Sequence, residues 1–218
     1  MNEEIVIIGA GGFGREVKTL IDQINNKEGI FKIIGFYDDN PNLPSIVNGI
    51  PVLGTISDLI NKSEPYNIAL GIGSPDVKVE IILRLKHSKI QFKYPILIHP
   101  SSIVGTDDIQ IGKGSIICAG SILTCNIKVE EFVTLNLLCT VGHDSIIRKF
   151  SSLMPNVNVS GDVIIEDEVY LGTGAKIINN LIIGRKTIVG SGAVVSKSLP
   201  ENCTAVGIPA KPIKFNNL

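Results

Sequence analysis

Tryptophan is absent from this chain, and aromatic residues of all kinds make up only 5% of it. Charge of one sign is lacking too: 20 Lys and Arg face 21 Asp and Glu, a formal net charge of -1. Without a cationic excess there is no electrostatic footprint for nucleic acid or for a polybasic membrane contact. Long apolar runs are missing near the start, where the longest is Ile5-Val6-Ile7-Ile8, preceded by Glu3 and Glu4. A signal peptide needs a basic start and a longer apolar core, and a membrane span needs about 20 apolar residues. The expectation is therefore a cytoplasmic protein with no membrane partner. Cysteine is scarce: Cys118, Cys125, Cys139 and Cys203 show no CxxC spacing, and no histidine groups with them. Reduced, buried thiols are expected, rather than zinc ligands or disulfides.

What is present is aliphatic side chain and glycine. The hydrophobic fraction is 44%, with 22 glycines in 218 residues. That balance excludes disorder, and the length suffices for one large core or two small ones. Two regions with different patterning divide it, residues 1–97 and 98–218.

The first region alternates strand and helix. Ile5 to Ile8 has the continuous apolar character of a buried parallel strand. The run Gly9-Ala10-Gly11-Gly12-Phe13-Gly14 follows, then a helical pattern through Val17, Leu20, Ile21 and Ile24. A second strand, Ile33 to Tyr37, ends at Asp38-Asp39-Asn40-Pro41, and a third, Ile68 to Ile72, at Gly73-Ser74-Pro75. Val77 to Leu85 reads as helix, and Phe92 to Ile98 as a final strand or extended link. This is a Rossmann-like βαβ unit, too short for a complete dinucleotide fold.

The second region has a period of six. From Ile111 the series runs Ile117, Leu123, Val129, Leu135, Val141, Ile147, Leu153, Val159, Ile165, Leu171, Ile177, Ile183, Val189, Val195. If Ile, Leu and Val fill roughly a third of positions, fifteen successive hits by chance are on the order of one in ten million. The fifth position of each unit is small or modest, from Ser115 to Ala193, and the second is often glycine, as at Gly112, Gly142 and Gly172. Six residues with one large inward side chain describe one side of a triangular coil, and three such units make an 18-residue turn. Glycine, Asn and Asp at the corners are expected to take the unusual backbone angles. An ordinary β-sandwich would show period-two alternation instead. The predicted fold class is an α/β Rossmann-like domain followed by an all-β left-handed parallel β-helix.

Two motifs carry chemistry. His143, in Val141-Gly142-His143-Asp144-Ser145, lies at a third position and so near a corner, pointing outward. A neutral imidazole can take a proton from an incoming nucleophile, and Asp144 beside it can stabilise the imidazolium. The pair alone reads equally as a surface histidine hydrogen-bonded to the next coil. The glycines after Ile8 open a helix, where unhindered N–H groups and the helix dipole attract phosphate. Asp38 and Asp39 follow the second strand, where carboxylates accept from a ribose hydroxyl or a base edge. The alternative is a tight turn with a helix cap.

The segments IVIIGAGGFGRE and IIGFYDD, the hexapeptide coils with GHD, and the closing Gly207-Ile208-Pro209-Ala210-Lys211 together resemble the PglD/NeuD-like sugar O-/N-acyltransferase family. The resemblance covers essentially the whole chain. It implies an acetyl-CoA-dependent, metal-free N-acetyltransferase acting on a nucleotide-linked 4-amino-4,6-dideoxy sugar in surface glycan biosynthesis. The implied rival is O-acetylation of sialic acid or another sugar; a non-catalytic, nucleotide-binding trimeric scaffold is the reading of another class. By the resemblance His143 is the general base and Asp144 the residue that makes it more basic. Gly11, Gly12, Phe13 and Gly14 hold the diphosphate, Asp38 and Asp39 surround the nucleoside, and Gly73 lines the same pocket. Asn136, Gly161, Thr173 and Ser191 approach the pantetheine arm of CoA. Ser152 stands where some members carry a second histidine near the thioester carbonyl. Members are homotrimers that hold the acetyl donor between adjacent β-helices.

Overall fold

The structure, a computed structural model, describes residues 3–215. It divides into two compact units between Pro100 and Ser101.

In the first unit, β1 (Glu3–Ile8) is followed by α1 (Gly12–Glu28) and β2 (Phe31–Tyr37). The short strands β3 (Ile46–Val47) and β4 (Ile50–Gly54) precede α2 (Ile56–Ile60), β5 (Asn67–Leu70) and α3 (Pro75–Leu85). The strand order is β3-β4-β2-β1-β5, with β4, β2, β1 and β5 parallel. Ile5 to Ile8 are buried to 1% exposure or less, as a strand covered on both faces requires. The apolar stripe Val17, Leu20, Ile21 and Ile24 is the buried face of α1. Strand order reverses between β1 and β5, so α1 and α3 both begin at the carboxyl edge where open α/β sheets bind ligands.

The β3–β4 hairpin and α2 are not among the elements expected from apolar patterning, because each is too short to show a period. Their signals are turn chemistry instead. Asn48 and Gly49 both have positive φ (45° and 81°), the geometry of an Asn-Gly hairpin turn. Thr55 and Asp58 form a reciprocal capping box that starts α2. Residues 92–96 are an extended link that bridges to the sheet from Lys93 to Asn67, and Leu97–Ile98 is a two-residue strand.

The second unit is the left-handed parallel β-helix. Strands of two or three residues pair in parallel with the strand 18 residues on: Thr140 with Asn158, Ser152 with Tyr170, Ile146 with Ile164. The inward ladder is as expected. Every first-position residue from Ile117 to Val195 is at most 3% exposed, and only Ile111 at the start is half-buried. Each such side chain contributes roughly 1.5–3 kcal/mol of burial. Through the hexads from Ile111 to Val195 the unusual angles fall on one position, the fourth. Gly114, Gly120, Asn126, Phe132, Leu138, Asp144 and onward to Gly192 all have positive φ. Gly, Asn and Asp supply only part of that set, since Phe132, Leu138, Phe150 and Lys186 adopt the same conformation. The second-position glycines serve close approach instead: a Cβ on Gly142 would stand 2.7 Å from the Gly161 nitrogen. A final antiparallel pair, Cys203–Gly207 with Ala210–Phe215, joins the edge at Ile188–Val189. None of the four cysteines is in a disulfide among the described residues, and burial pushes the Cys139 thiol up to about 12.

Candidate functional site

The glycine run of the first unit divides into two roles. Gly11 is the N-cap of α1 with no side-chain cap, and Gly12 and Phe13 open the first turn. Around Gly11 and Gly12 a Cβ would meet nothing within 4 Å, so these two present open backbone at the positive end of a 17-residue helix. Gly14 is buried and packs helix on strand: its Cβ would stand 1.8 Å from the Gly9 oxygen. Gly71 completes that contact, with a hypothetical Cβ 2.5 Å from the Gly14 Cα. Gly73 lies, half-buried, in the link between β5 and α3. Phe13 is half-buried beside the open glycines.

Asp38 and Asp39 stand at the same edge, each tied to the protein through both oxygens. Asp38 accepts from the Ala10 N–H (2.7 Å) and the Asn40 N–H (2.8 Å), locking the glycine loop to the end of β2. Asp39 accepts from the Ile56 N–H (2.9 Å) and from Arg84 Nη1 (2.6 Å). The Arg84 hydrogen bond holds the Asp39 carboxyl below its ordinary value. Arg84 is the residue that sequence reasoning missed here; its only signal is its spacing from Glu80 on one face of α3.

In the second unit His143 occupies an exposed corner. Its Nδ1 lies 2.7 Å from Asp144 Oδ2, with side-chain exposures of 58% and 47%. Neighbouring residues meet this way because Asp144 takes the left-handed conformation (φ 59°), which Asp tolerates. The other oxygen, Oδ1, accepts from Asn126 Nδ2 at 2.9 Å, one coil earlier. Hydrogen bonds from His143 and then Asn126 lower the Asp144 pKa, so the carboxylate is ionised at neutral pH. An ionised acceptor at Nδ1 fixes the proton there and leaves the lone pair on Nε2. One coil later, Gly161 makes room for the ring: a Cβ there would stand 2.4 Å from Nε2. Neither Asn126 nor the steric role of Gly161 was visible in the sequence; the signal was their spacing of 18 from Asp144 and His143.

The remaining residues expected near CoA lie elsewhere on the β-helix. Asn136, Thr173 and Ser191 sit at the corner that follows the strands at 134–135, 170–171 and 188–189. The corner of His143 and Gly161 follows the strands at 140–141 and 158–159. One chain therefore does not bring the two groups together. Asn136 is 5% exposed, its Oδ1 accepting from the Leu137 N–H at 2.7 Å, while Thr173 and Ser191 are exposed. Ser152 is fully buried and its hydroxyl has no partner among the described residues. Within the chain that hydroxyl is closed off from any ligand on the surface. For a metal, His143, Asp144 and Asp162 have ligand atoms within 4.8 Å of one another, all exposed. A cation there would compete with Asp144 for the imidazole and with the proton for the base.

Residues 4–85 match the family model of the PglD N-terminal domain. Over 221 aligned residues the chain is 34% identical to a GDP-perosamine N-acetyltransferase of Escherichia coli O157:H7, covering 95% of each. Among solved structures it is similar to the acetyltransferase domain of PglB from Neisseria gonorrhoeae FA1090, also solved in complex with acetyl coenzyme A. Both superimpose with a TM-score of 0.87 at 31% identity; the uncomplexed structure covers 97% of this chain and 100% of that one. A histidine mutant of perosamine N-acetyltransferase from Caulobacter crescentus, in complex with CoA and GDP-perosamine, has a TM-score of 0.83 at 27% identity, covering 97% of each chain.

Proposed function

Since the chain belongs to the PglD/NeuD-like sugar O-/N-acyltransferase family, we propose that it transfers acetyl from acetyl-CoA to the 4-amine of a nucleotide-linked 4-amino-4,6-dideoxy sugar. The observation that carries this reading is the His143 Nδ1 to Asp144 Oδ2 contact of 2.7 Å on an exposed corner, with Nε2 left as the base.

The open N–H groups at Gly11, Gly12 and Phe13 hold the diphosphate. Asp38 shapes that loop through Ala10, and Gly73 lies at the same strand edge. In the β-helix the neutral sugar amine attacks the thioester carbonyl carbon. Nε2 of His143 takes the proton from the nitrogen as the C–N bond forms, and Asp144 stabilises the resulting imidazolium. Collapse breaks the C–S bond, and CoA leaves as its thiol after taking up a proton. The reaction needs alignment and one proton transfer, and no metal.

The acetyl donor lies against Asn136, Thr173 and Ser191, with Gly161 beside the base. Because these occupy two corners of one β-helix, the assembly is a homotrimer in which one protomer's His143 corner meets its neighbour's donor corner. Ser152, closed within its own chain, does not replace a second histidine at the carbonyl. The pathway is surface glycan biosynthesis and the compartment the cytoplasm; no helix among the described residues is long and apolar enough to cross a membrane.

The test is thiol release from acetyl-CoA across UDP-, dTDP- and GDP-linked 4-amino sugars and free and CMP-linked sialic acid. GDP-perosamine, the substrate named for two relatives, is the first acceptor to try. His143→Ala is expected to lower turnover by at least about 10²-fold. Near wild-type turnover in that variant would sink the assignment of the base. Turnover with sialic acid alone moves the enzyme to the O-acetyltransferase branch.

A further inference from the structure

Asp162 takes no part in the chemistry described above, yet it stands on the His143 corner. It occupies the fourth position of its hexad, 18 residues after Asp144, in a column that reads Asn126, Asp144, Asp162, Asn180. All four take the left-handed conformation, with φ of 53°, 59°, 57° and 60°. The Asp162 N–H donates to the His143 carbonyl at 2.9 Å, as the Asp144 N–H does to the Cys125 carbonyl at 3.2 Å, so the backbone fixes the register. Two carboxylates therefore occupy adjacent coils, about 4.8 Å apart. The column beside them, Cys125, His143, Gly161 and Asn179, supplies no Lys or Arg to offset the like charges. Asp144 is engaged through both oxygens, by His143 and Asn126. Among the described residues no hydrogen bond or ion pair engages the Asp162 carboxylate.

An imidazole nitrogen and one oxygen from each carboxylate lie within 4.8 Å of one another, all on exposed side chains. Ligand atoms around a tetrahedral zinc ion, with bonds of roughly 2.0–2.2 Å, stand about 3.3 Å apart. His143 Nδ1 and Asp144 Oδ2 are already closer than that, at 2.7 Å. Rotation of exposed side chains closes the remaining distance without moving the backbone. One imidazole with two carboxylates suits Zn2+, whereas Mg2+ and Ca2+ favour oxygen ligands alone. A neutral imidazole has one lone pair and one N–H. A cation on Nε2 takes the lone pair of the base directly. A cation on Nδ1 sends the proton to Nε2, which then donates and no longer accepts. Either way the base is lost.

We propose that His143, Asp144 and Asp162 bind Zn2+, and that its binding switches off acetyl transfer. The proposal rests on His143 as the acetyl-transfer base argued above and adds a regulator of that site. Asp162 holds the regulator and does not touch the reacting atoms.

Two measurements on the full, untagged chain test this. The first is calorimetric titration with Zn2+ and, separately, with Mg2+ in a chelator-free buffer. Zn2+ is expected to bind, with affinity reduced by about tenfold or more in Asp162→Asn and in His143→Ala. Asparagine already occupies this column at 126 and 180, so Asp162→Asn keeps the left-handed corner and the N–H bond to His143. The second is acetyl transfer followed by loss of the thioester absorbance, a signal that zinc binding to the released CoA thiol does not distort. Without metal, Asp162→Asn is expected to match the unaltered chain. Its half-inhibition is expected to need about tenfold or more Zn2+. Mg2+ at the same concentrations is expected to leave turnover unchanged. A Zn2+ Kd weaker than about 1 mM overturns the proposal. So does binding that leaves turnover unchanged. Inhibition of equal strength in Asp162→Asn also overturns it, placing the cation elsewhere, as at the half-buried Cys125 thiol. If no acceptor is turned over, the acetyltransferase reading fails and the titration alone decides the cation site.

Discussion

Gly161 lacks a side chain at the one place where the imidazole of His143 passes, and its φ is not in the left-handed region. Alanine there strains no backbone, and the three atoms nearest its Cβ would all belong to the ring. Gly161→Ala is therefore expected to displace Nε2 and cut kcat by tenfold or more at nearly unchanged melting temperature, since small misplacements of reacting groups are costly. Unchanged kcat would show that the ring has another working position. Asn126 acts one bond further out, through Asp144. Its φ of 53° suits glycine, so Asn126→Gly removes the amide without straining the corner. With one of the two lowering hydrogen bonds gone, the Asp144 pKa is expected to rise toward its ordinary 3.8, as read by carboxyl NMR titration. The His-Asp pair was legible in the sequence because both partners are adjacent. Its supports at positions 126 and 161 were not, because an 18-residue stack makes neighbours of residues that no local pattern links.

At the scale of elements, α3 carries a feature outside the proposed chemistry. Lys78 is 1% exposed, and burial pulls its pKa down to about 7. Between about pH 7 and the ordinary 10.5 the unfolded chain holds a proton on this amine that the folded chain has released. From this group folding stability is expected to rise with pH by at most about 1.4 kcal/mol per pH unit, a rise that the buried Cys139 thiol opposes above about pH 9. Lys78→Met is expected to flatten the rise, measured by urea unfolding at pH 7, 8.5 and 10. A slope that survives the substitution would place the proton elsewhere. The elements of the first unit were legible in proportion to their length. Ile5 to Ile8 and the Val17 to Ile24 stripe carry a period, whereas a two-residue strand and a one-turn helix do not. The Asn48-Gly49 and Thr55-to-Asp58 signals were there to be read as turn chemistry.

For the whole molecule, the β-helix places His143 and the group Asn136, Thr173 and Ser191 on separate corners, so the proposed acetyl transfer requires a second protomer. Sedimentation is expected to give a particle three times the 23.4 kDa of the chain. An active monomer would show that the two corners need not meet. The sequence by itself determined the hexad column, the change of architecture near residue 98, the outward His143-Asp144 pair and the glycine run ahead of α1. Each of these is a local or strictly periodic property, set by side-chain size at fixed spacing or by adjacency along the chain. Only the tertiary structure decided how the carboxylates of Asp38 and Asp39 are used, because their partners Ala10, Ile56 and Arg84 come from other elements. It alone closed Ser152 inside its face, laid Gly161 under the imidazole and brought the Asp162 carboxylate to the His143-Asp144 pair. Those facts depend on which segments pack against one another, and packing is fixed by the three-dimensional layering of coils and strands.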